Sequence, residues 1–240
     1  MSAADRGIPN LTDLDQTAGL LRLGKPVVIP TDTVYGLALM VSDSTGPDIL
    51  FQIKRRPPEK SIPWLVGSFA DFKRYTRDLP EWACQLARRH WPGALTLVCM
   101  ASDQAPRQFV AEDGSLAVRM PGHSLVLELL AKLDAPLATT SANLSGQPSV
   151  SRLEELDPLI VSQVAAVLAD HDDLPGGIRA LPTDSVANFT GTGTRNDSND
   201  QGREALPSTI VSCITRIPVV LRQGALDLSS ELSTIQQTLS

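Results

Sequence analysis

Short apolar runs alternate with longer amphipathic stretches along this chain. Leu14, Ala18 and Leu21 recur at helical spacing, and Gly24 supplies a stop, so residues 12–23 are predicted to be a helix. The β-branched run at 26–30 predicts a buried strand, and 36–41 a second. A short helix over 48–54 runs into a basic turn. A strand at 62–66 then precedes helices over 69–75 and 81–90. Strands follow at 94–99, 116–120 and 136–140, with a helix over 124–132 between the last two. Residues 164–169, 209–213 and 218–221 complete the predicted strands. Strands and helices interleave without an internal repeat, which predicts an α/β or mixed α+β fold around a mixed sheet.

One stretch departs from this pattern. Residues 170–206 are rich in Gly, Asp, Asn, Thr and Ser, and 191–202 carry almost no apolar side chain. Loops of this length are uncommon inside compact domains, which predicts a mobile insertion. A plain surface loop would have the same composition. The expected organisation is therefore one domain over 10–228, an insertion at 170–206 within it, and a C-terminal tail at 229–240.

Composition narrows the function. The 240 residues carry a formal net charge of −6, which weighs against broad electrostatic binding of nucleic acid, though not against a local basic cleft. No apolar run is long enough to span a bilayer, and residues 1–10 lack the apolar centre of a secretory signal, so the cytoplasm is expected. Cys84, Cys99 and Cys213 include no C-x-x-C pair, and His90, His123 and His171 are scattered. A disulfide framework or a zinc site is not expected.

Polar clusters mark the strand ends. Thr31, Asp32 and Thr33 follow a buried strand, where α/β sheets present ligand groups, although an Asx-turn would look the same. Lys54, Arg55, Arg56 and Lys60 flank two prolines and suit a polyanion; a solvated basic turn is the plain alternative. No Gly-x-x-x-x-Gly-Lys-Ser/Thr loop is present to hold phosphates. Arg119 sits among apolar neighbours in a predicted strand and needs an anion, either a ligand carboxylate or an internal Asp or Glu. Thr139 to Gly146 places hydroxyls and an amide where another strand ends.

In this order and spacing the clusters resemble the YrdC family of threonylcarbamoyl-AMP synthases. The matching pieces are PTDTVYGL at 30–37, KRRPPEK at 54–60, WPGALTL at 91–97 and AVRMP at 117–121. TTSANLSG at 139–146, PSTIV at 207–211 and LRQGA at 221–225 complete them. The resemblance implies a single YrdC-like domain whose twisted, mixed and largely antiparallel sheet, flanked by helices, lines a deep basic cleft. It implies an enzyme, a nucleotidyltransferase that condenses L-threonine, bicarbonate or CO₂ and ATP into threonylcarbamoyl-AMP and pyrophosphate. Mg²⁺ would accompany the ATP, with no metal ligands from protein side chains.

By motif, Lys54, Arg56, Ser141 and Asn143 would be catalytic. Thr33, Arg119, Thr139 and Ser208 would face L-threonine, with Arg119 pairing its carboxylate. Arg56, Lys60, Ser115, Ser141, Ser149 and Arg222 would face the nucleotide. The product would pass to a separate transferase acting on adenosine 37 of tRNAs that read ANN codons, with weak or no direct tRNA binding and no membrane association. Ala94 stands where the family pattern has proline, Ser212 where an Asp is common, and the stretch before Ser208 is longer than usual. The extra C-terminal domain of some relatives is not expected. Two other readings compete: a non-catalytic RNA-binding or ribosome-maturation module, and a carbamoyl-adenylate-forming domain like those of hydrogenase-maturation carbamoyltransferases. The acidic balance opposes the first; the second lacks its acylphosphatase and C-x-x-C modules.

Overall fold

A computed structural model describes residues 11–42, 46–55, 62–169 and 206–239. The expected 170–206 insertion therefore lies almost wholly outside the described residues. The strands are β1 (Leu11–Thr12), β2 (Val27–Ile29), β3 (Gly36–Met40), β4 (Trp64–Leu65), β5 (Thr76–Arg77) and β6 (Leu95–Ala101). They continue with β7 (Ser115–Arg119), β8 (Leu137–Ser141), β9 (Ala166–Leu168), β10 (Thr209–Ser212) and β11 (Val219–Arg222). The helices are α1 (Leu14–Arg22), α2 (Asp48–Lys54), α3 (Phe69–Tyr75), α4 (Glu81–His90), α5 (Ser124–Leu133), α6 (Pro158–Val161) and α7 (Ser229–Leu239).

All these strands join one sheet in the order β1-β9-β2-β3-β8-β4-β7-β6-β10-β11, with β5 added beside β6. Pairing is mixed. β2–β3, β3–β8, β4–β8, β6–β7 and β10–β11 are antiparallel, whereas β1–β9, β2–β9, β4–β7 and β6–β10 are parallel. The mixed α/β class is as the sequence predicts.

Local chemistry accounts for the element ends. Asp13 caps α1 by accepting from the Gln16 amide at 2.8 Å, and Ser68 caps α3 from the Asp71 amide at 3.1 Å. α2 closes where Arg55 turns left-handed at φ 50°.

Because strand side chains alternate, the register sorts them onto two faces. One face carries Leu37, Leu39, Trp64, Leu97, Leu116, Val118 and Val211 into a large apolar cluster with α3 and α4. On the opposite face Ala38, Leu65 and Leu137 pack with Val126, Leu129 and Leu130 of α5 and Ala18 and Leu21 of α1. That second cluster covers only part of its face. Beyond it the same-face positions change to Ser115, Arg119, Thr139 and Ser141, with Thr96 on β6, and none of these joins either apolar cluster.

Residues 229–239, expected to be a tail, are instead helix α7 docked on the domain. Leu232 is buried, and Glu231 lies 2.8 Å from both Arg89 Nη1 and His90 Nε2 at the end of α4. Ser, Thr and Gln dominate this stretch, and buried Leu232 together with the Glu231 contacts holds it in place.

Two outcomes test this packing. Leu97→Ala removes a fully buried β6 side chain and should cost about 2–5 kcal/mol in urea unfolding. Bonds from His90 first, then Arg89, hold the Glu231 carboxyl below its usual range. A depressed carboxylate stabilises above its unfolded value and loses that contribution as the pH falls through the folded one. Glu231→Gln should therefore lower stability at neutral pH, and its difference from wild type should close below the ordinary value of 4.5.

Candidate functional site

The polar strip begins with Arg119 at the end of β7, a residue only 6% exposed. Its Nε donates to the Gly93 carbonyl at 2.9 Å, Nη1 to Thr33 Oγ1 at 3.0 Å and Nη2 to Asp32 Oδ1 at 2.6 Å. Of the two anions open to it on sequence, the internal carboxylate is present: Asp32 pairs with it across the turn that joins β2 and β3. That turn is itself fixed. Thr31 Oγ1 donates to the Val34 carbonyl at 2.6 Å and accepts from the Thr33 and Val34 amides, each at 3.2 Å.

Thr139, buried on β8, donates its hydroxyl to the Leu137 carbonyl at 3.3 Å. Its methyl requires glycine on the neighbouring strand, because a Cβ at Gly36 would stand 2.6 Å from Thr139 Cγ2. Ser208, just before β10, shares a 2.8 Å hydrogen bond with Thr96 of β6. The Ser208 carbonyl accepts from Arg222 Nη2 at 2.8 Å and Nε at 3.1 Å. Desolvation, and then the like charge of Arg119, lower the pKa of Arg222. Two arginines thus share one region; Arg119 has its carboxylate, whereas among the described residues Arg222 has none in ion-pair reach.

Lys54 has a different environment from the one its basic run suggests. It is 3% exposed, and Nζ donates to the Ser141 carbonyl, to the Asn143 carbonyl at 2.6 Å and to Asn143 Oδ1 at 3.2 Å. Ser141 Oγ is 3.4 Å away. Asn143 Nδ2 donates in turn to the Gln147 and Leu144 carbonyls, at 2.5 and 3.1 Å. Backbone bonds from Ala142 N to Tyr35 O (2.8 Å) and from Tyr35 N to Val150 O (2.8 Å) tie this turn to the one after β2. Half-buried Ser149 adjoins Val150 in that arrangement.

Ser115 lies at the opposite end of β7 from Arg119. Both β7 and β8 pair with β4, and the shared register sets Ser115 level with Ser141. The Ser115 hydroxyl, then its amide, hold the Asp113 carboxyl below its ordinary value. Arg56 and Lys60 lie outside the described residues.

The fold therefore gathers Thr33, Arg119, Thr139, Ser208 and Arg222 around one part of the strip, and Lys54, Ser141, Asn143 and Ser149 around the β8 turn. The motif resemblance assigns no role to Asp32, Thr96 or Gly36, although Asp32 belongs to the first polar cluster. Asp32 was visible as the one carboxylate in the first cluster, whereas nothing in the sequence marks Thr96.

A family described as "Telomere recombination", which unites Sua5, YciO and YrdC proteins, matches residues 19–192. A threonylcarbamoyl-AMP synthase of Pyrococcus abyssi is 33% identical over 88% of this chain and 54% of its own length. One from Stenotrophomonas maltophilia is 34% identical over 71% of this chain and 90% of its own. The crystal structure of P. abyssi Sua5 complexed with L-threonine superposes with a TM-score of 0.74 at 30% identity, over 92% of this chain and 56% of that one. The chain belongs to the Sua5/YciO/YrdC family, and it spans about half the length of the Pyrococcus relative.

Lys54→Met should separate support from ligand contact. It leaves carbonyls of Ser141 and Asn143 without their cation, at a cost of about 1–3 kcal/mol. Urea unfolding of the ligand-free protein should register that loss, which removal of a side chain meeting only substrate would not produce.

Proposed function

We propose that this family member is an L-threonylcarbamoyladenylate synthase. Threonine's amine adds to CO₂ with loss of a proton, or to bicarbonate with loss of water, to give a carbamate, and a carbamate oxygen attacks the α-phosphorus of ATP. The bond from that phosphorus to the β-phosphate bridge breaks, and pyrophosphate leaves with its electron pair. The named synthases among the relatives, and the L-threonine in the P. abyssi structure, support the reading. The observation that carries it is the convergence of Arg119, Thr33, Thr139 and Ser208 beside a second arginine on one strip of the sheet.

In this reading Arg119 holds the threonine carboxylate, while Thr33, Thr139 and Ser208 position the rest of the amino acid. Arg222, which has no carboxylate in ion-pair reach among the described residues, meets nucleotide phosphate together with Arg56, Lys60, Ser115, Ser141 and Ser149. Lys54 and Asn143 act by fixing the turn that carries Ser141. Catalysis then rests on holding two anions in line inside a deep basic cleft, with preplaced donors offsetting their repulsion.

Among the described residues no group of three or more His, Cys, Asp or Glu is placed to hold a metal ion. Magnesium would enter as part of the ATP substrate, held by phosphate oxygens. No helix among the described residues is long and apolar enough to cross a membrane. The proposed setting is the cytoplasm, with the adenylate passed to a separate tRNA threonylcarbamoyl transferase acting on ANN-decoding tRNAs. The net charge of −6 fits weak or no direct tRNA binding.

Pyrophosphate release from ATP and bicarbonate, with and without L-threonine, tests the proposal. Release should depend on threonine, and Arg119→Gln should lower kcat/KM about 100-fold or more. Release indifferent to threonine, or none in the presence of bicarbonate and Mg²⁺, would overturn it.

A further inference from the structure

Arg119 has five N–H donors, and three are committed, to Gly93, Thr33 and Asp32. Its partner Asp32 has a second oxygen, Oδ2, outside that bond. Gly122 leaves room beside this oxygen. A Cβ at Gly122 would stand 3.2 Å from Asp32 Oδ2 and 3.3 Å from the Gly93 Cα, so a side chain there would close over the carboxylate. The Asp32 side chain keeps 17% exposure against 8% for Arg119.

The pair changes what the site can hold. A lone arginine would accept any carboxylate. Here the guanidinium is already neutralised, so a ligand bearing only a carboxylate brings a second anion close to Asp32 in a poorly solvated place. A ligand with an ammonium on the carbon next to its carboxylate escapes that repulsion. Its two charges lie head to tail with those of Arg119 and Asp32.

We propose that Asp32 is the specificity-determining residue that selects an α-amino acid over a plain carboxylic acid. Oδ2 accepts from the ligand ammonium, while the remaining N–H bonds of Arg119 hold the ligand carboxylate. Gly122 keeps Oδ2 open to it. The proposal rests on the reading that Arg119 meets an amino-acid substrate, and it adds the group that recognises the amine.

Calorimetry on the full chain would compare L-threonine with 2,3-dihydroxybutanoate of matching configuration, in which a hydroxyl replaces the amine. Wild type should prefer threonine by about tenfold or more. Asp32→Asn keeps a hydrogen-bonding group beside Arg119 but removes the charge, and should cut that preference by about tenfold. Gly122→Ala is the second variant: it leaves the Asp32–Arg119 bond in place and crowds Oδ2, and the preference should fall again. Should Asp32→Asn fail to fold, Gly122→Ala decides alone. An unchanged preference in the folded variants, or affinity for both ligands falling in parallel, would show that Asp32 only props Arg119 and would overturn the proposal. Wild type that binds neither ligand would overturn the synthase reading itself, and the proposal with it.

Discussion

A lysine ammonium withdrawn from water must be surrounded by oxygen dipoles, and Lys54 meets that demand with the carbonyls of Ser141 and Asn143. Much of the candidate site follows from this one requirement. The bonds pin the end of α2 to the end of β8, 87 residues later, and set the path of the turn that carries Asn143. Asn143 is fixed at both ends, its oxygen by Lys54 and its nitrogen by Gln147. Through Ala142 and Tyr35 the same turn is tied to the Thr31–Thr33 turn beside Arg119. Two separated sequence motifs thus become one rigid support.

The sheet supplies the complementary constraint. Its apolar cluster with α3 and α4 fills one face, but α1 and α5 cover only part of the other. Where none of the described helices covers the sheet, its face must either meet water or carry groups that hydrogen-bond, and here it carries threonines, serines and an arginine. The sheet thereby offers rigid backbone for positioning and polar side chains for recognition. The exposed edge is managed separately. β11 shows Val219, Val220 and Leu221 to solvent, but it is short, and its pairing with β10 is irregular at Ile210 and Val211.

Much of this was legible in the chain itself. Helix α2 over 48–54 and helices α3 and α4 match the predicted residues, because their apolar spacing and end residues are local properties. Most of the longer strands fall within two residues of expectation. The short elements were missed: β1 and β5 have two residues each and exist only because neighbours offer backbone partners. Helix α6 was missed too, although Asp157 and Pro158 form a recognisable start. Helix α7 lacked a strong apolar stripe and depends on Arg89 and His90, more than 140 residues before it.

For the site, sequence determined which residue types end the strands and that these motifs, in this order, belong to one family. It also determined that Arg119 required an anion and that a four-cation run existed. It could not choose the anion, assign Lys54 to a buried role or join Thr96 to Ser208, because those contacts span 87, 87–89 and 112 residues. Helical spacing and turn chemistry are decided within a few residues, by sterics and hydrogen bonds the chain makes with itself. Partners for a buried charge are decided by register and sheet order, and those exist only after the distant strands have paired.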